Sequence, residues 1–284
     1  MTLPSTIHSS KEPGSYTAVL DILRDLLLTR TRDWDPSLFQ LHGFWDVSLL
    51  FQPSQVERLF TYTVYLAQTS REGCCYTFAD PARIRFDVLG SDARTSRTGN
   101  LAVDIAILDS AYAVLPPRPA FHRIITGSSA QKAIERARLI ADEVDRDLTT
   151  SPRRRVAVVG AIGILIRELL ERKCDVLTTD LDVGLIGTDL DGVLVRDGTR
   201  WTMNDVEDAD VAIITGMTLA TNTLEPILKA AKGGHTRTII IAETGAALAQ
   251  MYIPLFGADC VISEPFPFYV FSGPSEINIY RGPA

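Results

Sequence analysis

The stretch "RRVAVVGAIGILIRELLERKCDVLTTD" (Arg154 to Asp180) decides how the second half of the chain is read. It opens with a short, almost unbroken valine run, the pattern of a strand buried on both faces. A glycine turn follows (Gly160 to Gly163), then "ILIRELLERK" with helical spacing, then a second strand, "CDVLTTD". The alternation continues downstream. "DADVAIITGMT", "TRTIIIAETG" and "ADCVISEP" read as strands, with "EINIYR" as a last one. Between them "NTLEPILKAAKGG", stopped by Gly233-Gly234, and "AALAQMYIPLFG" read as helices. Repeated strand-helix-strand units with right-handed crossovers predict an α/β fold: a Rossmann-like, mostly parallel sheet with helices on both faces.

The first half is patterned differently. "SYTAVLDILRDLLLTR" has helical periodicity, with Val19, Ile22, Leu23, Leu26 and Leu27 on one face and Ser15 as its N-cap. "DVSLLFQ" alternates as a strand, and "RLFTYTVYLAQ" and "CCYTFAD" flank "TSREG" as a hairpin. "ARIRFDVLG" reads as a further strand, and "NLAVDIAILDSAYAVL" as an apolar helix ended by Pro116-Pro117. After the Pro-rich "PPRPAFHRIITGSS" comes an amphipathic helix, "SSAQKAIERARLIADEVDRDL". Ser128 or Ser129 caps it, and Ala133, Ile134, Ala137, Ile140, Ala141 and Val144 form its buried stripe. The expected organisation is a smaller α+β domain (residues 1–126), a bridging helix and linker (127–152) and the Rossmann-like domain (153–284).

Bulk properties narrow the function. The chain has 284 residues, 46% of them hydrophobic and 22% charged, with a net charge of −7. That balance argues against nucleic acid or an anionic membrane as the main partner. Met1 to Gly14 reads as a loose arm without the basic and apolar regions of a secretory signal, and no apolar run reaches the length of a membrane span. Four cysteines without CxxC spacing read as free thiols of a cytoplasmic protein. The four histidines are scattered, so no local motif encodes a metal site. A small-molecule ligand is the expected partner.

In open parallel sheets ligands bind at the carboxyl ends of the strands, and those loops hold the candidate residues. Gly160 permits the tight turn and Gly163 a close approach, although one glycine of the GxGxxG fingerprint is missing. Asp180 follows at the distance expected of the acid that bonds a ribose hydroxyl, with Asp182 as a competitor. "TGMTLATNTLEPIL" gathers Thr215, Gly216, Thr218, Thr221, Asn222 and Thr223 at a strand end and helix start, where hydroxyls and free N–H groups suit an anion or carboxylate. "AETG" places Glu243 and Thr244, and "SEPFP" places Glu264, at the mouth of the same crevice. Glu243 is a candidate for acid/base work, for a substrate amine or for a metal.

"DLDGVL" (Asp189 to Leu194) matches the nucleophile motif of haloacid dehalogenase-like phosphatases, but a full strand-turn-helix-strand unit precedes it and only the last third of the chain follows. "DGVLVRDGTRW" reads instead as a β-hairpin excursion turning at Asp197-Gly198, with Asp189 or Asp191 near the crevice.

Together "RVAVVGAIG", "DADVAIITGMTLATNTLEPIL" and "TIIIAETGAALAQMYIPLFGADCVI" resemble the Rossmann-like family described as "putative heavy-metal chelation", which usually follows a small enolase-N-terminal-like α+β domain. "LAVDIAILDSAYAVL" resembles the helix that ends that first domain. This chain departs from the pattern: "AETGA" stands where the family has Gly-Pro-x-x-Pro, Asp104 and Asp109 stand in place of a Gly and an Asn, and Thr221 in place of an Asn. The resemblance implies a metal-complex ligand, yet the chain offers few soft ligands and no metal site is carried over. Domains of this kind often pair, so a homodimer is an expectation.

Two readings follow. In the first the protein is a small-molecule metabolic enzyme. It binds a nucleoside-bearing cofactor (S-adenosylmethionine or a nicotinamide nucleotide) or a polar amino-acid-like metabolite between the two domains, with Glu243 or Asp109 catalytic. In the second it is a non-catalytic binder of a metal chelate or anionic metabolite.

Overall fold

The computed structural model describes residues 15–52, 60–78, 88–146 and 154–283. The N-terminal arm and most of the strand expected over "ARIRFDVLG" lie outside them. Helix α1 (Ser15–Arg30) is followed by a three-stranded antiparallel sheet of β1 (Gly43–Phe51), β2 (Phe60–Gln68) and β3 (Glu72–Thr77), in the order β1-β2-β3. Helix α2 (Leu101–Tyr112) packs on β2 and β3. In α1 the buried face is Leu20, Leu23 and Leu27, whereas Ile22 points to solvent. α2 stops at Tyr112, before the two prolines, with Asn100 accepting from the Val103 N–H at its start.

The second sheet has nine strands. They are β4 (Phe121–Ile125), β5 (Arg155–Val159), β6 (Asp175–Asp180), β7 (Asp189–Leu190), β8 (Val193–Asp197), β9 (Val211–Thr215), β10 (Arg237–Ala242), β11 (Cys260–Ser263) and β12 (Ser275–Arg281). The spatial order is β4-β12-β11-β10-β9-β5-β6-β8-β7. From β8 to β11 every neighbouring pair is parallel, while β12, β4 and β7 add antiparallel edges. Taken in chain order, the six parallel strands lie 3-2-1-4-5-6, the doubly wound order. Its switch point, where the order reverses, falls between β5 and β9.

Alternate residues of each parallel strand serve opposite faces. Val156, Val158, Ile213, Ile239 and Ile241 pack with helix α3 (Ser129–Asp145) and α4 (Gly163–Glu171). Ala157, Ala212, Ile214 and Ile240 pack on the other face with α6 (Leu224–Gly234) and α7 (Ala249–Phe256), joined by α5 (Gly198–Glu207) through Val206. That second cluster is continuous with the core of α1, α2 and the small sheet.

Two local readings change. The hairpin turns at Asp191-Gly192, both with positive φ (55° and 89°), rather than at Asp197-Gly198. Asp197 instead caps α5, accepting from the Thr199 N–H, because a carboxylate at a helix start satisfies donors that the helix leaves free. β8 is thus a strand of the parallel sheet, paired with β6, and not an excursion from it. In α3 Ser128 is the cap, in a capping box with Gln131. Its predicted stripe is buried apart from Ile134, but so are Lys132, Arg136 and Glu143 beside it.

Candidate functional site

A crevice runs along the carboxyl ends of β5, β6, β9 and β10, roofed by β1–β3. It has two adjoining compartments, which share Tyr62, Ile162, Thr215 and Met217.

The first compartment, about 120 Å³, is largely apolar and spans the switch point. Ile162, Leu181 and Met203 supply apolar walls, and Thr179, Asp180, Thr202 and Thr215 supply polar atoms. Gly160 forms the turn after β5 at φ 96°, and a Cβ there would lie 2.7 Å from the Thr215 Cγ2. Only glycine satisfies both conditions. Asp180, at the end of β6, accepts from the Ala161 N–H (2.8 Å) through Oδ2 and from the Asp182 N–H (2.8 Å) through Oδ1. Each oxygen keeps a further lone pair for a ligand. Asp182 itself accepts from the Gly184 N–H.

The second compartment, about 100 Å³, holds the charges. Glu243, just past β10, meets Arg136 of α3 at 2.5 Å (Oε1 to Nη2). Arg136 Nε also lies 2.8 Å from Glu264 Oε2. This second contact is an ion pair without hydrogen-bond alignment, and neither atom has another hydrogen-bond partner. Glu264 is fixed through its other oxygen, which accepts from the Tyr269 N–H (2.6 Å) and the Ser275 hydroxyl (2.5 Å). Tyr76 lines the same compartment as Glu243. Burial, opposed by Arg136 and reinforced by Glu264, raises the Glu243 carboxyl to about 7. The Arg136 guanidinium lies over the Tyr269 ring, 5.1 Å from its centroid.

The remaining candidates separate. Thr215 and Gly216 line the crevice, and Thr218 and Thr223 line the first compartment. The Thr218 hydroxyl donates to the Thr215 carbonyl (2.8 Å), the Thr221 hydroxyl to the Met217 carbonyl (3.2 Å), and Thr221 and Thr223 bond each other (2.9 Å). That richness in threonine therefore serves local backbone acceptors first. Asn222 takes a left-handed turn (φ 56°) and Gly163 starts α4. Thr244 accepts from the Tyr76 N–H, tying β3 to the loop after β10. Asp109 is not brought to the crevice: it is fully enclosed and accepts from the Cys74, Ala247 and Leu248 N–H groups. Asp189 accepts from the Gly192 N–H in the edge hairpin and Asp191 pairs with Arg167, so the two form no nucleophile–acid pair facing the crevice.

Arg136, Tyr62, Tyr76 and Tyr269 were not singled out from the sequence. A signal existed for Arg136. Lys132, Arg136 and Glu143 follow helical spacing on the flank of an Ala133-Ala137-Ala141 stripe, and such small residues let neighbours approach close enough to bury the flank.

Residues 142–251 match the family model DUF364, described as "Putative heavy-metal chelation". Over that stretch the chain is similar to the DUF364 family. Two solved structures, both proteins of unknown function from the DUF364 family, share its fold. One is from Desulfitobacterium hafniense (14% identity, TM-score 0.52, covering 87% of this chain and 86% of that one). The other is from Pyrococcus horikoshii (14% identity, TM-score 0.51, 87% of each chain). No match was found among curated proteins.

The DUF364 description invites a test for a metal. Among the described residues, no three His, Cys, Asp or Glu side chains are grouped to hold an ion. Cys74 and Cys75 are fully buried, and burial pushes both thiols far from the thiolate a metal needs. Arg136 already occupies the space between Glu243 and Glu264. The donor set does not fit a resident heavy metal. Among the described residues, no helix is long and apolar enough to cross a membrane.

Proposed function

We propose that this protein is an enzyme acting on a small molecule that carries a nucleoside. The base and ribose would lie in the first compartment, and the reacting end in the second. The observation that carries the reading is Asp180. It stands at the end of the second strand of a doubly wound sheet, its oxygens oriented by two main-chain N–H groups, on the wall of an apolar slot. A cavity of about 120 Å³ suits one ring system, since an apolar void of roughly 150 Å³ accepts benzene. That favours a mononucleoside such as S-adenosylmethionine over a nicotinamide dinucleotide. Glu243, half-ionised near neutral pH, is the group suited to general acid/base work there.

The test is calorimetric binding of adenosine and S-adenosylmethionine. Both are expected to bind the wild type, and Asp180→Asn to weaken both about tenfold, the loss of one charge-assisted hydrogen bond of roughly 1.5 kcal/mol. Equal affinity in the variant would remove the ribose role from Asp180. Glu243→Gln is expected to keep adenosine binding.

A further inference from the structure

The second compartment has an unbalanced set of charges. Two carboxylates, Glu243 and Glu264, face one guanidinium, Arg136, in a space with little access to water. With both glutamates ionised the cluster carries one net negative charge. Glu264 Oε2, fully buried, then has no hydrogen-bond donor aimed at it. A proton on Glu243 removes that excess charge, and burial, opposed by Arg136 and reinforced by the nearby Glu264, raises the Glu243 carboxyl to about 7. The other titratable groups facing Glu243, namely Tyr76, Tyr269 and Cys74, are pushed up by burial and stay neutral.

The walls point the same way. Phe51, Tyr62, Tyr76 and Tyr269 line this compartment together with Glu243. Phe51 meets Tyr269 edge-on at 6.2 Å and Tyr62 meets Tyr76 edge-on at 5.9 Å, so the aromatic lining consists of two edge-on pairs. Ring faces attract cations and repel anions. Arg136 uses one of them already.

We propose that the second compartment binds the positively charged end of the ligand, an alkylammonium or similar organic cation, against the Glu243 carboxylate and the aromatic rings that line the compartment with it. Below neutral pH Glu243 carries a proton. The cation enters, Glu243 becomes a carboxylate, and one proton passes to solvent. Above that range Glu243 is already ionised and no proton is released. This rests on the functional reading only for the choice of crevice, since a charged fragment needs no nucleoside.

The probes are isobutylammonium, isobutyrate and isobutanol, three fragments of one shape and different charge. Binding to the full chain is followed by saturation-transfer NMR at millimolar concentration. Isobutylammonium is expected to bind, isobutanol more weakly, and isobutyrate not at all. Glu243→Gln should weaken the ammonium at least tenfold, and Phe51→Leu, which leaves every charge in place, several-fold. Calorimetry in two buffers of different ionisation enthalpy should read proton release at pH 6 that vanishes by pH 8. Isobutyrate binding as well as the ammonium, no ammonium binding, or proton uptake would each overturn the proposal. If Glu243→Gln fails to fold, Phe51→Leu and the wild-type proton count decide. Loss of adenosine binding alone would instead sink the nucleoside reading and leave this one standing.

Discussion

Asp109 is the clearest case of a carboxyl that a sequence reading takes for chemistry and the fold uses for construction. Its Oδ2 accepts from Cys74 of β3, and its Oδ1 from Ala247 and Leu248 of the loop after β10. Burial outweighs these three bonds and raises the carboxyl to about 7. The folded protein therefore holds this proton more tightly than the unfolded chain does. Its contribution to stability is complete below the unfolded value near 3.8 and is lost as pH rises through about 7. Glu243 has the same sign, over the window from 4.5 to about 7. Denaturant unfolding is thus expected to show stability falling between about pH 4 and pH 7. Asp109→Asn should reduce that slope, because one of the two raised carboxyls is gone. It should also cost about 1–3 kcal/mol, because an amide nitrogen would face the Cys74 N–H, donor against donor. An unchanged pH slope would show that Asp109 is ionised throughout. The position of Asp180, Glu243 and Glu264 at strand ends was legible because the strands could be located. Asp109 was misjudged because nothing in a helix sequence tells which N–H groups of another segment will close over it.

At the scale of elements, close contacts decide what the sequence left open. β3 lies so near α2 that a Cβ on Gly73 would fall 2.0 Å from the Ser110 nitrogen and 2.4 Å from the Ala106 carbonyl oxygen. Gly73→Ala is expected to unfold the small sheet from α2 and to cost more than about 3 kcal/mol, measured by thermal melting; a melt like the wild type's would mean the contact can open freely. The flank of α3 is the other such element. Lys132, fully buried, donates to the Phe271 and Gly273 carbonyls (2.6 and 2.8 Å), and Ser129 donates to the Val270 carbonyl (3.1 Å). These bonds hold the segment that brings Tyr269 and Val270 to the second compartment. Lys132→Met keeps the stem and deletes the donors. Faster amide exchange confined to residues 266–274 is the expected result, and uniform protection would show that the aromatic packing of Phe266, Phe268 and Phe271 suffices alone. Periodicity predicted the helix and its alanine stripe. It could not predict that a lysine would be sealed by carbonyls from a loop more than a hundred residues away.

The whole molecule joins two differently patterned halves of the chain, and the join runs through the crevice. The mostly parallel sheet was readable because its valine- and isoleucine-rich runs are punctuated by glycine turns and helices, whereas β8 was read as part of a hairpin excursion. The docking of the small sheet was not, because it depends on a few polar contacts between distant segments. Thr244 accepts from the Tyr76 N–H (3.0 Å), the Gly245 N–H donates to the Cys74 carbonyl (3.0 Å), and Asp109 clasps Ala247 and Leu248. Apolar packing continues across the same seam, since Leu23, Tyr65 and Ile105 belong to one core with Ile214, Ile240 and Leu248. A shared core and interlocked backbone bonds make separate opening of either half expensive. Thermal unfolding is therefore expected as one cooperative transition, with the calorimetric and van't Hoff enthalpies equal. The N–H groups of Tyr76 and Gly245, one on each side of the seam, should exchange at the rate of global unfolding. Two resolved transitions, or fast exchange of this pair alone, would show that the halves part while each stays folded. The crevice between them would then be a moving joint, and the charge cluster in its second compartment would assemble only on closure.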